Sequence, residues 1–301
     1  MHYWVGITDH DWFETLRRLQ PDEVNFWQPS QRAPRAMDAG WPFLFKLHSP
    51  RNYVVGGGFF VRFTALPCFL AWDAFREKNG ASSLVELVQR VARYRKAPQT
   101  PGTAIGCNVL TEPFFFDEDE WIPIPRDWAP NIVRGRTYDT ASDTGDALWQ
   151  AVEDRLVTRL RADTVEEPRF GEAYLAKARL GQGAFRTLVT DAYFRRCAVT
   201  GERSLPALEA AHIRAHAAEG PNRTRNGLLL RADIHRLFDD GYVTVDTDLR
   251  FVVSPRLHEE FENGRVYYAL DGRSLANVPD RLPDQPGREF LEWHNSEVYL
   301  G

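Results

Sequence analysis

The segment from Cys197 to Gly241, CAVTGERSLPALEAAHIRAHAAEGPNRTRNGLLLRADIHRLFDDG, constrains the fold of this chain more than any other stretch. Leu208 to Ile213 is a short apolar run flanked by turn formers, and Asn226 to Leu230 is a second. Ala232 to Asp239 has helical character and stops at Gly241, a residue suited to the left-handed backbone that ends helices. Strand, loop, strand and helix in about thirty residues make one compact site. His212 lies in the first run, Asn226 opens the second, and His235 and Asp239 share one helix face at i, i+4.

The separations are 226 − 212 = 14 and 235 − 212 = 23 residues. With the flanking phrases AAHI, NGLLLRADIH and LFDDG, this order resembles the HNH endonuclease superfamily and its ββα-metal finger. The resemblance implies a role for each residue. His212 would be the general base, because a neutral imidazole, with an ordinary pKa of ~6.5, can take a proton from water at physiological pH. Asn226 would orient it by tying down the loop backbone with an uncharged amide. His235 would bind a divalent metal that touches the scissile phosphate and stabilises the leaving 3′ oxygen. Hydrolysis would leave 5′-phosphate and 3′-hydroxyl ends.

One position departs from the superfamily pattern. The residue before the catalytic His is often acidic or a second His and ligates the metal, whereas here it is Ala211. Asp239 is the expected substitute, and a His-plus-carboxylate site completed by water suits Mg²⁺ or Mn²⁺. Cys197 falls in a C-x-x-T-G turn and reads as packing. His216 and His258 match no motif position and read as surface residues, while His294, in LEWHN, is placed at the periphery of the site.

The formal net charge of −5 gives no global footprint of a nucleic-acid binder, but charge is unevenly spread. Leu180 to Arg236 holds nine Arg, no Lys and five acids, a locally basic stretch in an acidic chain. Arg214, Arg223, Arg225 and Arg231 are the candidates for phosphate contacts.

The first ~140 residues are aromatic-rich and read as mixed strand and helix. Tyr3 to Ile7, Phe43 to Leu47 and Phe59 to Phe63 read as strands, with Gly56-Gly57-Gly58 marking a tight bend or close backbone approach. Asp11 to Leu19 reads as a helix with Asp11 and Glu14 at capping-box spacing, and Ser83 to Arg95 as an amphipathic helix. The phrases YWVGIT, VNFWQPS, FLFKL and VVGGGFF resemble PUA-like domains of the EVE type, in pattern and element order. That resemblance implies a small β-barrel that receives a flipped nucleobase in an aromatic pocket. Trp27 and Trp41, which flank a polar loop, lead the candidates for its lining, followed by Trp4 and Trp72; Arg32 and Arg35 in the loop could touch phosphate.

The expected fold class is α+β. Residues 1–140 are assigned to a PUA-like modified-base recognition domain, 141–180 to a helical linker and 181–301 to an HNH nuclease domain. Three widely spaced cysteines argue against a disulfide framework. No run approaches the ~18 apolar residues of a membrane span, and the N-terminus lacks a signal-peptide layout, so a cytoplasmic protein without membrane partners is expected. The reading is a restriction-type nuclease acting on double-stranded DNA that carries 5-methylcytosine or 5-hydroxymethylcytosine. Alternatives are a nuclease directed by phosphorothioate or glucosylated marks, and a DNA-binding protein with a degenerate nuclease site. Cutting both strands with one site per chain calls for a homodimer or two binding events.

Overall fold

The computed structural model describes residues 1–34, 37–163 and 180–301. Arg35 and positions 164–179 of the expected linker lie outside them. The chain divides into two compact units, Met1–Arg179 and Leu180–Gly301, and both mix helices with antiparallel strands in an α+β fold. Among the described residues no helix is long and apolar enough to cross a membrane.

The first unit is built on one sheet. Its strands are β1 (His2–Thr8), β2 (Glu23–Gln28), β3 (Pro42–Leu47), β4 (Tyr53–Pro67), β5 (Ala104–Phe115), β6 (Ile122–Pro123) and β7 (Gly135–Asp139). They run in the order β2-β5-β4-β3-β1-β7, with β6 on β4; β1 and β3 are parallel and the other pairs antiparallel. Among the described residues β2 and β7 do not pair with each other, so hydrogen bonding leaves open the sheet expected to close as a barrel.

Gly56-Gly57-Gly58 lies inside β4 and does not separate two strands. A Cβ on Gly56 would come within 2.2 Å of the Phe114 carbonyl oxygen, so the missing side chain lets β4 and β5 close up. Helix α1 (His10–Leu19) begins one residue earlier than expected. Its cap is Asp9, whose carboxylate accepts from the Trp12 N–H at 2.7 Å, while Glu14 is engaged by Arg17. Helices α2 (Cys68–Phe75) and α3 (Leu84–Arg95) follow, the latter capped by Ser83. Leu148, Trp149 and Val152 of α4 (Asp143–Asp163) pack with Tyr3, Val5 and Tyr138 in one core cluster.

In the second unit α5 (Gln182–Ala192) precedes the buried turn from Cys197 to Gly201. Strands β8 (Leu208–His212) and β9 (Gly227–Arg231) pair antiparallel, Leu208 opposite Arg231 and His212 opposite Gly227. The chain passes from β9 directly into α6 (Ala232–Asp239), whose Ile234 and Phe238 are buried. β10 (Val243–Val245) and β11 (Phe251–Val253), short helices α7 (Arg256–Phe261) and α8 (Arg265–Tyr268), and α9 (Arg288–Glu297) complete the unit.

His294 of α9 is a core residue rather than a peripheral one. Its ring stacks on Phe238 at 3.7 Å between centroids, its Nε2 donates to the Phe238 carbonyl, and its Nδ1 lies 2.8 Å from the Thr244 hydroxyl oxygen. Burial pushes its imidazole down to about 4, against the opposing pull of the Phe238 carbonyl. An unfolded chain takes up this proton near ~6.5, whereas the folded protein resists until about 4. The stability from this site is therefore complete above ~6.5 and is lost as pH falls to about 4, a change of about 3 kcal/mol. Thermal denaturation of wild type and His294→Gln across that range is expected to show the wild-type advantage shrinking as pH falls; an advantage that is constant with pH would refute this account.

Candidate active site and aromatic cavity

The β8–β9 pair and α6 hold His212, Asn226 and His235 on one small framework. His212, the last residue of β8, stacks on Phe185 of α5 with centroids 3.8 Å apart and planes 12° from parallel. This close approach requires Gly227. A Cβ there would lie 2.4 Å from Val189 and 3.1 Å from the Phe185 ring, so α5 can lie on the strands only over a glycine. The ring edge is fixed by Asn222, whose Oδ1 is 2.7 Å from His212 Nε2. Asn222 Nδ2 donates to the Leu180 carbonyl at 2.6 Å, which turns its oxygen toward the imidazole and assigns the proton to His212 Nε2. Asn222 went unnoticed in the sequence because it falls in a polar loop without periodicity.

Asn226 has no exposed surface. Its Oδ1 accepts from the Arg214 N–H at 2.9 Å, and its Nδ2 donates to the carbonyls of Arg214 and Pro221 at 3.0 Å each. The amide thus closes the loop that leaves His212 onto the start of β9. Arg214 Nε also donates to the Ala218 carbonyl, and its guanidinium lies over the Trp293 ring.

On α6, both ring nitrogens of His235 face carboxylates. Nδ1 lies 2.7 Å from Oε2 of Glu209 on β8, and Nε2 lies 3.3 Å from Oδ2 of Asp239. Burial raises the Asp239 carboxyl above its usual range; Asp240 and Glu209 add to the rise, while His235 and Arg236 oppose it. An imidazole nitrogen beside a carboxylate is a donor set that fits a small divalent cation. Among the described residues no group of three or more His, Cys, Asp or Glu is arranged to hold a metal ion. Ala211 is fully buried in the core of the unit. Arg231 pairs with Asp233 and Arg225 with Glu289, both at the surface. Exposed pairs of this kind contribute little to stability.

The first unit contains a cavity of about 280 Å³ at the ends of β1 and β2, walled by Trp12, Phe26, Trp27, Tyr94, Asp9 and His48 among others. Trp27 is the one tryptophan of the four expected that lines it. Trp4 packs under Gly135, Trp41 packs on His2 with its backbone paired to Phe60, and Trp72 belongs to α2, outside the lining. Trp12, Tyr94, Asp9 and His48 were not singled out, because two helices and a strand end bring them together across long stretches of chain.

Inside the cavity the Tyr94 hydroxyl donates to Asp9 Oδ2 at 3.1 Å and lies 3.3 Å from His48 Nε2. Burial, then Asp9, raises the Tyr94 hydroxyl, which stays protonated. Burial lowers the His48 imidazole, with Asp9 opposing and Lys46 reinforcing the shift. Trp27 is held edge-on to Tyr94, its indole N–H donated to the Asn79 carbonyl.

Residues 197–246 match the family model described as HNH endonuclease. No curated protein sequence matches the chain. Among solved structures it is similar to a protein titled modification dependent TagI restriction endonuclease, at 15% identity over 92% of this chain and 75% of that one, with a TM-score of 0.28.

Replacing Asn226 with Ala would strand the N–H and carbonyl of Arg214 in the His212 loop, while the Pro221 carbonyl would keep its bond from the Arg223 N–H. A loss of about 1–3 kcal/mol per unsatisfied group is expected. Denaturant unfolding of Asn226→Ala checks this, and an unchanged midpoint would contradict it.

Proposed function

We propose that this chain, whose C-terminal unit carries an HNH endonuclease domain, is a metal-dependent DNA endonuclease of restriction type that cuts DNA bearing a modified cytosine. The observation that carries the reading is the pairing, in one chain, of that domain with an aromatic cavity of single-base size. A volume of about 280 Å³ is at the small end of ligand pockets and suits a bare base better than a glucosylated one. Access to such a cavity requires the base to leave the duplex, and stacking on Trp12, Trp27 and Tyr94 offsets the unstacking cost of a few kcal/mol. The Asp9 carboxylate is an acceptor suited to the exocyclic amino group of cytosine, which thymine replaces with a carbonyl. A 5-methyl or 5-hydroxymethyl group would meet the aromatic wall.

In the proposed chemistry, His212 takes a proton from the attacking water. Asn222 holds the proton already on Nε2, so Nδ1 is the basic nitrogen. Phe185 and the Asn226-closed loop keep the ring from turning away. His235 and Asp239 would hold Mg²⁺ or Mn²⁺, which would supply electrostatic stabilisation to the phosphate and the departing 3′ oxygen. Arg214, Arg223, Arg225 and Arg231 provide the cationic surface along which the backbone lies. One such site per chain cuts one strand, so a second copy of the chain serves the other.

The test uses matched plasmids, with and without 5-methylcytosine or 5-hydroxymethylcytosine, incubated with the protein and Mg²⁺ or Mn²⁺. Cutting is expected only of the modified plasmids. Trp27→Ala should lose that cutting while retaining metal binding, and His212→Ala should lower the cleavage rate at least ~10²-fold, the low end for removing a general base. Equal cutting of modified and unmodified DNA would overturn the modification clause, and a fully active His212→Ala would overturn the mechanism.

A further inference from the structure

We infer that Glu209 is the positioning residue that turns His235 into a metal ligand: its carboxylate holds the proton of Nδ1, leaving Nε2 to form the metal-binding edge with Asp239. The inference rests on the nuclease reading, since it concerns how that site holds its cation.

The starting point is the residue before His212. Ala211 has no donor atom and is fully buried. Side chains two apart on a strand face the same way, so the neighbouring position on that side of β8 is Glu209. Its side chain is long enough to reach α6, and it does so at His235. The strand therefore still delivers a carboxylate to the site, from two residues earlier.

The two carboxylates around His235 stand in different relations to the ring. The separation of 2.7 Å between Nδ1 and Glu209 Oε2 is that of a strong N–H···O hydrogen bond. The separation of 3.3 Å between Nε2 and Asp239 Oδ2 is longer, and close to the about 3 Å between two atoms bound side by side to one small cation. A neutral imidazole has a single N–H. Given to Glu209, it leaves the lone pair on Nε2, beside Asp239. Metal-binding histidines commonly donate their second nitrogen to a carboxylate in this way, which fixes the tautomer and makes the ligand more basic. Glu209 is half-exposed, on the opposite side of the ring from Nε2. The protein would then supply one nitrogen and one oxygen and leave the other positions to water and phosphate oxygens, a donor set that Mg²⁺ and Mn²⁺ accept.

The test reads the tautomer and the metal separately. Full-length protein labelled with ¹⁵N-histidine, metal-free and at mildly alkaline pH, is examined by long-range ¹H–¹⁵N spectra, with Mn²⁺ binding measured by calorimetry. Wild type is expected to carry the His235 proton on Nδ1. Glu209→Ala should move it toward Nε2 and weaken Mn²⁺ binding about 10- to 100-fold. Glu209→Gln, which keeps an acceptor oxygen, should recover affinity to the extent that it restores the Nδ1–H form. Unchanged tautomer and affinity in Glu209→Ala would overturn the inference. So would affinity lost in Glu209→Gln with the Nδ1–H form intact, which would make Glu209 itself a ligand. His235→Ala is the separate control: if it binds Mn²⁺ as tightly as wild type, the nuclease reading of this site fails.

Discussion

Three hydrogen bonds from the buried amide of Asn226 tie the start of β9 to the backbone of Arg214 and Pro221, and the placement of His212 depends on them. The residues between the two strands form neither sheet nor long helix, so few of their backbone groups find partners in regular structure. A side chain with one acceptor and two donors can satisfy an N–H and two carbonyls together. A carboxylate at that position would face two carbonyl oxygens, and an alkyl group would leave the N–H and carbonyl of Arg214 unsatisfied, the Pro221 carbonyl keeping only its bond from the Arg223 N–H. Gly227, the next residue, admits α5 and Phe185 against the His212 ring. One residue fixes the loop and the next gives the imidazole its stacking partner.

The first unit places its chemistry by a comparable economy. Asp9 ends the connection from β1 and caps α1 with one oxygen, and its other oxygen accepts from Tyr94 inside the cavity. The start of the helix and the polar wall of the cavity are therefore the same side chain. Trp12, whose N–H that cap receives, is itself part of the aromatic wall. The local signal that begins α1 and the long-range packing that forms the cavity are coupled through one turn of backbone.

Much of the framework of the candidate site was legible in the sequence because its strands, turn and helix are short and contiguous. Apolar runs bounded by turn formers located β8, β9 and α6 to within a residue or so, and i, i+4 spacing put His235 and Asp239 on one face. Asn222 and Glu209 were not legible as partners. Their roles come from directions across the loop and between strand and helix, which periodicity does not encode. The glycine triplet could mean a bend or a close approach, and only the neighbouring strand decides that it is the latter. The cavity was the least legible part. Trp41 lies next to the polar loop in sequence, yet the chain turns back through its pairing with Phe60 and carries it to His2. Trp12 and Tyr94 belong to two helices far apart in the chain, so no local pattern links them.

The stacked contact between Phe238 and His294 separates the segment that holds the candidate site from the larger part that folds around it. The candidate catalytic residues all fall within 197–246, yet the helix that presents His235 has its inner face covered by a residue about fifty positions beyond that segment. The backbone at Gly241, just after that helix, accepts from the N–H of Leu300. On the other side, Phe185 and Val189, which cover His212 and Gly227, precede the segment. The nuclease finger excised at its family boundaries would expose both faces, so the portable module here is the whole of Leu180–Gly301.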